Sequence, residues 1–338
     1  MFIESAYSLR EYNSFGFDVI AAFFARAGSE EDLREALTWC QDNQQPLFAL
    51  GGGSNTVFVG PPSGLVLQIG IKGIEHERQD DGSVLLRVGA GEDWHSLVAH
   101  CLEQGWHGLE NLALIPGAVG SAPIQNIGAY GVELSDVFVQ LEAIDRQDGS
   151  AVTLDSDACA FGYRDSAFKQ HWKDRFLISR VWLKLHTIPT LKINYPALRS
   201  ALQDRSDVTP KDVFDAVVSV RKARIPDPAE IGNTGSFFTN PIVTTTQAEA
   251  LLCDYPDMPH WPQDDATQKL SAGWLIEACG WKGHRNGAVG VHENQALVLL
   301  NLGDASGHDI LALAEQIADS VESRFNLRLT IEPTVLKS

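Results

Sequence analysis

The segment 109–134 limits most strongly what this chain can fold into. Its sequence, LENLALIPGAVGSAPIQNIGAYGVEL, is largely apolar but is interrupted by four glycines and two prolines. This spacing excludes one continuous helix or strand. Over 117–131 the glycines, together with Ser121, Gln125 and Asn126, would let backbone and side-chain amides face a flat polar ligand. The alternative is a buried irregular loop that binds nothing.

The flanking segments show helix and strand patterns. Ser29 and Asp32 form a capping-box pattern at the start of an amphipathic helix over 29–40. Asp148–Gly149 predicts a hairpin turn, and Thr209–Pro210 predicts the start of another helix. Further expected elements are helices over 92–102 and 308–323 and strands over 46–50, 65–69, 83–88, 137–146, 151–154, 176–186 and 327–332. The alternation in the first half predicts an α/β or α+β fold.

The run GGGSN at 51–55 follows the predicted strand 46–50. Glycines in such a turn let backbone N–H groups approach a phosphate closely. The run does not match the dinucleotide fingerprint GxGxxG, because Thr56 stands where the third glycine belongs. The chain has no GK dipeptide and therefore no Walker loop. A plain tight turn is the alternative interpretation.

Charge and hydropathy narrow the class of protein. The 338 residues carry a formal net charge of −18, which argues against a nucleic-acid-binding protein. A few local cations and backbone N–H groups can still bind an anionic small molecule. No apolar run approaches the roughly 20 residues of a membrane span, and the first residues lack a signal-peptide pattern. We therefore expect a cytoplasmic protein without a membrane partner.

The five cysteines are Cys40, Cys101, Cys159, Cys253 and Cys279. They are an odd number, lie far apart and form no CxxC pair, so neither a disulfide framework nor a structural zinc site is indicated. Buried free thiols and no metal site are expected.

Three further positions carry groups that take part in catalysis in other enzymes. Arg164 lies in FGYRDS (161–166), where a cation between an aromatic residue and a carboxylate could orient a substrate carboxylate. Ser236 lies in a glycine turn before Phe237 and Phe238, and Glu332 lies near the end of the chain. The alternatives are a surface salt bridge for Arg164, a turn residue for Ser236, core positions for the phenylalanines and a solvated carboxylate for Glu332.

Taken together, these segments closely resemble the type I UDP-N-acetylenolpyruvoylglucosamine reductases. The resemblance follows the order of the family's motifs over nearly the whole chain. The matching runs are NSFGFD (13–18), LGGGSN (50–55), 109–134, FGYRDS (161–166), IPDP (225–228), GSFFTNP (235–241), KLSAGWLIEACGWKG (269–283), VHENQALVLLN (291–301) and IEP (331–333).

This resemblance implies a fold and a domain division. The fold class is α+β, with an FAD-binding fold of the vanillyl-alcohol-oxidase (PCMH) type in two subdomains and an α/β substrate-binding domain. The implied subdomains are 1–70, with the C-terminal strand of 327–338 a candidate to return to it, and 71–215. The substrate-binding domain is 216–326.

The resemblance also implies a flavoenzyme that uses NADPH as co-substrate. NADPH reduces bound FAD, and flavin N5 then delivers hydride to the vinyl carbon of UDP-N-acetylglucosamine enolpyruvate, giving UDP-N-acetylmuramate for peptidoglycan precursors. The implied FAD-binding residues are Gly51, Gly52, Gly53, Ser54, Asn55, Gly117, Gly120, Ser121, Gln125, Asn126, Gly128 and Ala129.

Three residues match the family's catalytic set. By resemblance, Arg164 pairs with the substrate carboxylate, and its permanent charge suits the enolate that develops there. Glu332, if protonated, would donate a hydrogen bond to that enolate, and Ser236 would protonate the carbon.

Five positions match substrate contacts of the family: Tyr195, Arg224, Asn240, Lys269 and Gln295. Two positions depart from its pattern. Arg224 stands where many members have lysine, and Thr239 replaces a lysine after GSFF, which removes a cation. Both departures concern affinity for NADPH or the UDP group more than the chemistry.

Three alternatives stay open at this point. An FAD-dependent oxidase on the same scaffold would consume NADPH and release peroxide without the enolpyruvyl substrate. A non-enzymatic flavin-binding paralogue is disfavoured by intact Arg164, Ser236 and Glu332, and a nicotinamide-only dehydrogenase by the failed GxGxxG. We expect a monomer that acts on a small-molecule substrate and binds no nucleic acid.

Overall fold

A computed structural model describes residues 1–203 and 205–337 and divides the chain into two compact units. The first unit comprises Met1–Ser8, Ile20–Ser54 and Pro62–Lys222. The second comprises Leu9–Val19, Asn55–Pro61 and Ala223–Ser338. The chain therefore crosses between units several times, and short N-terminal segments belong to the second unit.

The strands are mostly short. In chain order they are β1 (Ile3–Ser8), β2 (Ile20–Ala27), β3 (Leu47–Leu50), β4 (Thr56–Phe58), β5 (Leu65–Ile69), β6 (Ile74–Arg78), β7 (Ser83–Gly89), β8 (Gly128–Ala129), β9 (Val132–Glu133), β10 (Phe138–Asp145), β11 (Ala151–Asp155), β12 (Phe176–His186), β13 (Ile242–Thr244), β14 (His260–Pro262), β15 (Thr267–Leu270), β16 (Arg285–Asn286), β17 (Val289–Val291), β18 (Leu299–Asn301) and β19 (Thr334–Leu336).

The helices are of two kinds. The α-helices are α1 (Glu30–Asp42), α2 (Trp94–Glu103), α3 (Ser156–Cys159), α4 (Pro196–Leu202), α5 (Pro210–Arg224), α6 (Thr245–Asp254), α7 (Ala272–Ala278) and α8 (Gly307–Phe325). Short 3-10 helices cover Arg10–Tyr12, Glu110–Leu112, Val119–Gln125 and Leu134–Asp136.

Two sheets organise the first unit. A four-stranded sheet has the order β1-β2-β5-β3, in which β5 pairs parallel with both β2 and β3. A five-stranded sheet has the order β11-β10-β12-β7-β6, with every neighbouring pair antiparallel. Apolar side chains of both sheets and of α1 and α2 share one core, which includes the fully buried Leu65, Leu86 and Leu97. Burial of this apolar surface is the main stabilising contribution in such a unit.

Several local predictions are confirmed. The Ser29 hydroxyl accepts a hydrogen bond from the Asp32 N–H, and the Asp32 carboxylate accepts one from the Ser29 N–H, which is the predicted capping box. The hairpin turn at Asp148–Gly149 joins β10 to β11, with Gly149 at φ +73°. The strands predicted at 65–69 and 176–186 have the predicted bounds. Thr209 accepts from the Asp212 N–H and so caps α5.

The second unit combines small sheets with helices. Its sheets are β13-β15-β14 and β16-β17-β18, and β19 pairs parallel with β4. The long helix α8 begins with a capping box between Ser306 and Asp309 and buries one face that includes Ile310, Ile317 and Val321. Phe237 and Phe238 are fully buried in the same core, as predicted.

The predicted strand over 327–332 is wrong. Helix α8 continues to Phe325, Asn326 adopts a left-handed conformation at φ +52°, and residues 327–330 form no strand. Ile331 makes only an isolated bridge with Phe238, and the strand forms later, over Thr334–Leu336. The alternating apolar residues indicate one-sided burial, but Thr330 and Glu332 share only a single isolated bridge with segment 237–239, through backbone hydrogen bonds to Thr239 and Phe237. The continuous ladder begins at Thr334, against β4.

The cysteines partly follow the prediction. All five are free thiols, and Cys40, Cys101 and Cys159 are buried. Burial raises the pKa of the Cys101 and Cys159 thiols to about 12. Cys253 is exposed and Cys279 is half-buried, so the expectation of burial is wrong for Cys253.

Within residues 1–203 and 205–337, no helix is long and apolar enough to span a membrane. No cluster of His, Cys, Asp or Glu side chains there is arranged to hold a metal ion. The division into domains at 70, 215 and 326 stays a prediction.

Gly307→Ala tests the contact of α8 with β4. A Cβ atom at Gly307 would lie 2.0 Å from the Phe58 carbonyl oxygen, so the backbone has to move. We expect a loss of about 1–3 kcal/mol in the free energy of unfolding, measured by chemical denaturation. The control is Gly303→Ala, where a Cβ atom would meet nothing within 4 Å. Equal stability of the two variants would contradict this account.

Candidate active site

Two glycine-rich loops of the first unit pack closely against each other. A Cβ atom at Gly52 would lie 3.0 Å from the Gly117 Cα, and one at Gly51 would lie 2.2 Å from the Ser121 Oγ. The Ser54 hydroxyl donates to the Pro116 carbonyl at 3.0 Å, which ties the loops together at one end. Loop 51–54 and loop 116–121 are therefore one structural feature, although they are distant in sequence.

Loop 116–121 is in turn fixed to the segment that leads into α2. The Gly120 N–H donates to the Ala90 carbonyl at 2.8 Å, and a Cβ atom at Gly120 would lie 2.5 Å from the Ala90 Cβ. The Val119 N–H donates to the Glu92 carbonyl at 2.8 Å. Such close backbone packing explains the glycines that the sequence shows. It also places two glycine turns side by side with little side-chain cover, an arrangement that fits the phosphate portion of FAD.

A small hairpin follows loop 116–121. Strands β8 and β9 pair through Gly128 and Glu133, and the two turn residues, Tyr130 and Gly131, both have positive φ. Asn126, just before the hairpin, is buried in a left-handed conformation at φ +42°. Its amide nitrogen donates to Glu133 Oε2 at 2.8 Å and to the Gly162 carbonyl at 3.1 Å, and its amide oxygen accepts from the Ser135 N–H. Asn126 therefore joins the hairpin to the segment that carries Arg164.

Arg164 is held by this hairpin. Its guanidinium donates to the Gly128 carbonyl and, at 3.4 Å, to the Asn126 carbonyl, and Nη1 lies 3.7 Å from Glu133 Oε1. The side chain is 18% exposed and lies over the Tyr163 ring at 5.2 Å. A Cβ atom at Gly128 would lie 2.8 Å from Nη1 and 3.0 Å from the Val132 carbonyl oxygen, so a larger residue there would displace the guanidinium or the hairpin backbone. The interpretation of Arg164 as an ordinary surface salt bridge does not fit these contacts.

The other residues predicted for the first unit lie around the same loops. Gln125 ends the 3-10 helix Val119–Gln125, and Ala129 lies in β8. Tyr195, before α4, is 38% exposed and packs edge-on against Tyr130 with ring centroids 5.3 Å apart. Asn55 belongs to the second unit, where its carbonyl accepts from the Thr334 N–H.

The second unit brings Ser236 and Glu332 onto adjacent backbone. The Glu332 N–H donates to the Phe237 carbonyl at 2.9 Å, and Phe238 bridges Ile331. Ser236 itself bridges Val298, and the Phe237 N–H donates to the Leu297 carbonyl at 2.7 Å. The backbone of Ser236 is therefore flanked by paired neighbours, and its half-buried side chain lies at a defined position.

The predicted substrate contacts of the second unit have local partners. Asn240 Oδ1 accepts from the Ala272 N–H at 2.9 Å near the start of α7, and Gln295 Oε1 accepts from the Leu297 N–H at 3.3 Å. Lys269 lies on the central strand β15, opposite Ile242 on one side and Trp261 on the other. Arg224 is exposed at the end of α5. The Thr239 hydroxyl, at the second departure, donates to the Thr330 carbonyl at 3.4 Å.

Sequence reasoning missed three residues of the first unit. Glu133 supports Arg164, and His95 accepts a hydrogen bond from the Leu114 N–H at 3.0 Å. Burial lowers the pKa of the Arg221 guanidinium, with Tyr130 opposing the shift and Arg164 adding to it. Glu133 lies within the matched segment 109–134, and its charge among apolar residues was the available signal. His95 and Arg221 carry no local motif.

Family models match both parts of the chain. Residues 21–155 match the model described as FAD binding domain. Residues 227–336 match the model described as UDP-N-acetylenolpyruvoylglucosamine reductase, C-terminal domain.

Relatives cover the whole chain. The UDP-N-acetylenolpyruvoylglucosamine reductase of Pseudomonas aeruginosa is 48% identical over 330 residues, which is 97% of each chain. That of Ralstonia nicotianae is 47% identical over 339 residues, or 99% of each chain. This chain belongs to the UDP-N-acetylenolpyruvoylglucosamine reductase family. As a member of the reductase family with an FAD-binding domain, it is an FAD-dependent oxidoreductase.

Solved structures agree on the fold. The UDP-N-acetylenolpyruvylglucosamine reductase of Thermus caldophilus superposes with a TM-score of 0.68 at 23% identity and covers 99% of each chain. A VAO-type flavoprotein of Myceliophthora thermophila superposes with a TM-score of 0.50 at 12% identity, over 94% of this chain and 73% of its own. The predicted α+β class with an FAD-binding fold of the vanillyl-alcohol-oxidase type is confirmed for this reductase family member.

Gly120→Ala tests whether loop 116–121 holds FAD. The added methyl group would lie 2.5 Å from the Ala90 Cβ, and Ala90 has no flexible side chain that can move away. We expect FAD to dissociate about tenfold more readily, from loss of roughly one backbone hydrogen bond. The measurement is flavin fluorescence after dilution of the holoenzyme. Gly28→Ala, where a Cβ atom would lie 3.6 Å from Asp32 Oδ2, is the control. Unchanged flavin retention in Gly120→Ala would contradict this assignment.

Proposed function

We propose that the chain catalyses NADPH-dependent reduction of UDP-N-acetylglucosamine enolpyruvate to UDP-N-acetylmuramate in the synthesis of peptidoglycan precursors. Family membership gives the reductase class. The observation that carries the proposal further is the pairing of the Ser236 and Glu332 segments, which are far apart in sequence. A hydroxyl and a carboxyl on adjacent, paired backbone suit a proton donor and its neighbouring stabiliser.

The FAD-holding residues are proposed to be the bare loops and the hairpin. Gly51, Gly52, Gly53, Ser54 and Gly117 are proposed to present backbone N–H groups to the diphosphate. Gly120 and Ser121, whose N–H groups donate to the Ala90 and Ala118 carbonyls, are proposed to shape the loop beside it. Gln125, Asn126, Gly128 and Ala129 border the isoalloxazine ring, and Asn55 completes the set. The Asn126 side-chain amide is engaged by Glu133, Gly162 and Ser135, and its backbone N–H donates to the Pro123 carbonyl, so we assign to Asn126 the role of shaping the loop beside FAD. When bound, FAD supplies the redox chemistry that links NADPH to the vinyl group.

Arg164 is proposed to bind the substrate carboxylate. A guanidinium presents its donors in a fixed planar fork that matches the two oxygens of a carboxylate. The Gly128 and Asn126 carbonyls and Glu133 hold the fork in one orientation before substrate binds. A cation oriented in advance stabilises the negative charge that develops on the carboxylate without reorganising during the reaction.

Ser236 and Glu332 are proposed to act on the substrate in the step that needs a proton. Ser236 donates a proton to the substrate carbon next to the carboxylate, and Glu332 stabilises the enolate by a hydrogen bond. An alcohol is a weak acid, so position matters more than acidity for this role. The fixed backbone around Ser236 provides that position.

The remaining contacts stay predictions. Tyr195, Arg224, Asn240, Lys269 and Gln295 are proposed to bind the sugar nucleotide. A monomer in the cytoplasm is likewise still a prediction.

Ser236→Ala separates the two half-reactions. We expect flavin reduction by NADPH to stay near the parent rate, and reoxidation by the enolpyruvyl substrate to slow by about 10²- to 10⁴-fold, because only the second step needs the proton. Anaerobic stopped-flow absorbance of the flavin measures both steps.

The same experiment distinguishes the alternatives. Equal slowing of both half-reactions would remove Ser236 from the donor role. A parent enzyme whose reduced flavin ignores the substrate but reacts rapidly with oxygen would contradict the proposed function and favour a flavin oxidase.

Arg164→Lys tests the guanidinium fork. Lysine keeps the charge but cannot reproduce the paired donor geometry. We expect kcat/KM for the enolpyruvyl substrate to fall by about 10- to 100-fold, while flavin reduction by NADPH changes little. Arg175→Lys, which affects an ion pair with Asp145, is the control. A substituted enzyme with parental kcat/KM would exclude the carboxylate-binding role.

A further inference from the structure

Segment 112–120 is tied to segment 90–95 by a series of hydrogen bonds. Four of them use backbone or indole groups that do not titrate near neutral pH: Trp94 Nε1 to the Leu112 carbonyl, the Trp94 N–H to the Gly117 carbonyl, the Val119 N–H to the Glu92 carbonyl, and the Gly120 N–H to the Ala90 carbonyl. A fifth joins the Leu114 N–H to His95 Nδ1 at 3.0 Å. Among these five contacts, the one made by His95 involves a side chain of the type that can take up a proton near neutral pH.

Leu114 depends on a partner for its N–H. It has φ +58°, a left-handed conformation that a leucine rarely adopts. It lies three residues before Gly117, where the predicted flavin loop begins. The carbonyl of Pro116, two residues after Leu114, accepts a hydrogen bond from the Ser54 hydroxyl. Leu114 is therefore connected to both glycine loops through the short segment that contains Pro116 and Gly117.

The acceptor atom fixes the protonation state of His95. Nδ1 accepts from Leu114, so it carries no proton, and the neutral ring holds its proton on Nε2. An imidazolium would place two N–H donors against each other and break this contact. The ring is also stacked on Phe214 of α5, with centroids 5.5 Å apart and planes 12° apart, so it has little freedom to turn away.

Charged groups around His95 come from two elements. Asp93 at the start of α2 favours the imidazolium, whereas Lys222 and Arg221 of α5 oppose it. Burial is the largest effect, and together they lower the pKa of His95 from its ordinary value of 6.5.

We propose that His95 is a positioning residue for the flavin loop, and that its neutral imidazole holds Leu114 so that FAD affinity decreases when His95 is protonated. This inference rests on the proposed placement of FAD at 117–131. The residue acts through Leu114 and is given no contact with the ring itself.

The direction of the pH effect follows from the pKa. Because the folded-state pKa of His95 is below 6.5, the unfolded chain binds the proton more readily. Neutral His95 contributes fully to the stability of the folded state when the pH is above the unfolded-state pKa. This contribution is lost as the pH falls through the folded-state pKa. FAD retention that depends on Leu114 should weaken over the same interval.

Two substitutions distinguish the role of the His95 hydrogen-bond acceptor from the role of its aromatic ring. His95→Asn places Oδ1 at the position of Nδ1 and gives an acceptor that does not titrate. His95→Phe keeps an aromatic ring against Phe214 but removes the acceptor. His100→Asn is a matched control on the same helix, where His100 packs edge-on against Trp106.

Release of FAD from diluted full-length holoenzyme is measured by flavin fluorescence from about pH 8 downward through pH 6.5, as far as the holoenzyme stays folded. For the parent and His100→Asn we expect the dissociation constant to rise about fivefold or more as the pH falls. For His95→Asn we expect the rise in the FAD dissociation constant to be at least about threefold smaller. For His95→Phe we expect a dissociation constant about tenfold higher than that of the parent already at pH 8.

The proposal is overturned if His95→Asn follows the parent's pH profile, or if folded His95→Phe holds FAD at pH 8 as tightly as the parent. If His95→Phe does not fold, the profile of His95→Asn still decides. The measurement uses neither NADPH nor the enolpyruvyl substrate. An enzyme that holds FAD but fails to reduce that substrate would therefore reject the proposed function alone. An active enzyme whose His95→Asn variant releases FAD with the same pH profile as the parent would reject this proposal alone.

Discussion

Backbone-to-backbone packing between loop 51–54 and loop 116–121 is the contact on which the candidate flavin site depends. Gly52 meets Gly117, Gly51 meets Ser121, and Gly120 meets Ala90, each at a distance that leaves no room for a side chain. Close approach of this kind forms amide surfaces without side chains, which is how proteins bind diphosphates when cations are few. In a chain with a formal net charge of −18, that solution is well suited to an anionic cofactor.

The same region concentrates backbone strain. Leu114, Asn126, Tyr130 and Arg164 all have positive φ although none is glycine. Each such residue costs roughly 1–3 kcal/mol and persists only when its surroundings determine it. Here the determinants are identifiable: His95 holds Leu114, Glu133 and Gly162 hold Asn126, and the hairpin carbonyls hold the Arg164 guanidinium. The strain is thus offset by contacts that also orient the one cation assigned to the substrate carboxylate.

Local signals in the sequence predicted local structure. The capping box at Ser29, the turn at Asp148–Gly149 and the strand 176–186 each depend on neighbouring residues, and each was predicted. The parallel pairing of Thr334–Leu336 with Thr56–Phe58 depends on two segments from opposite ends of the chain, and no local pattern encodes it. The strand predicted over 327–332 is wrong for a related reason, because the local pattern does not show that this segment forms only an isolated bridge with Phe238. Arg164, Ser236 and Glu332 were named through motifs, whereas His95 could not be, since its partner is a backbone N–H on another segment.

The distribution of cations explains how an acidic chain can serve an anionic substrate. At physiological ionic strength, charges are screened over about 8 Å, so most of the net negative charge does not act at any one site. The last turn of α5 carries Arg221, Lys222 and Arg224 together, at the helix end where cations are favoured by the helix dipole. The departure from lysine at Arg224 keeps the charge in that group, and the departure at Thr239 replaces a cation by a hydroxyl bonded to the Thr330 carbonyl. Affinity for the proposed sugar nucleotide would therefore come from a few positioned guanidinium and amide groups, so the contacts that hold Arg164 would matter more here than in a basic protein.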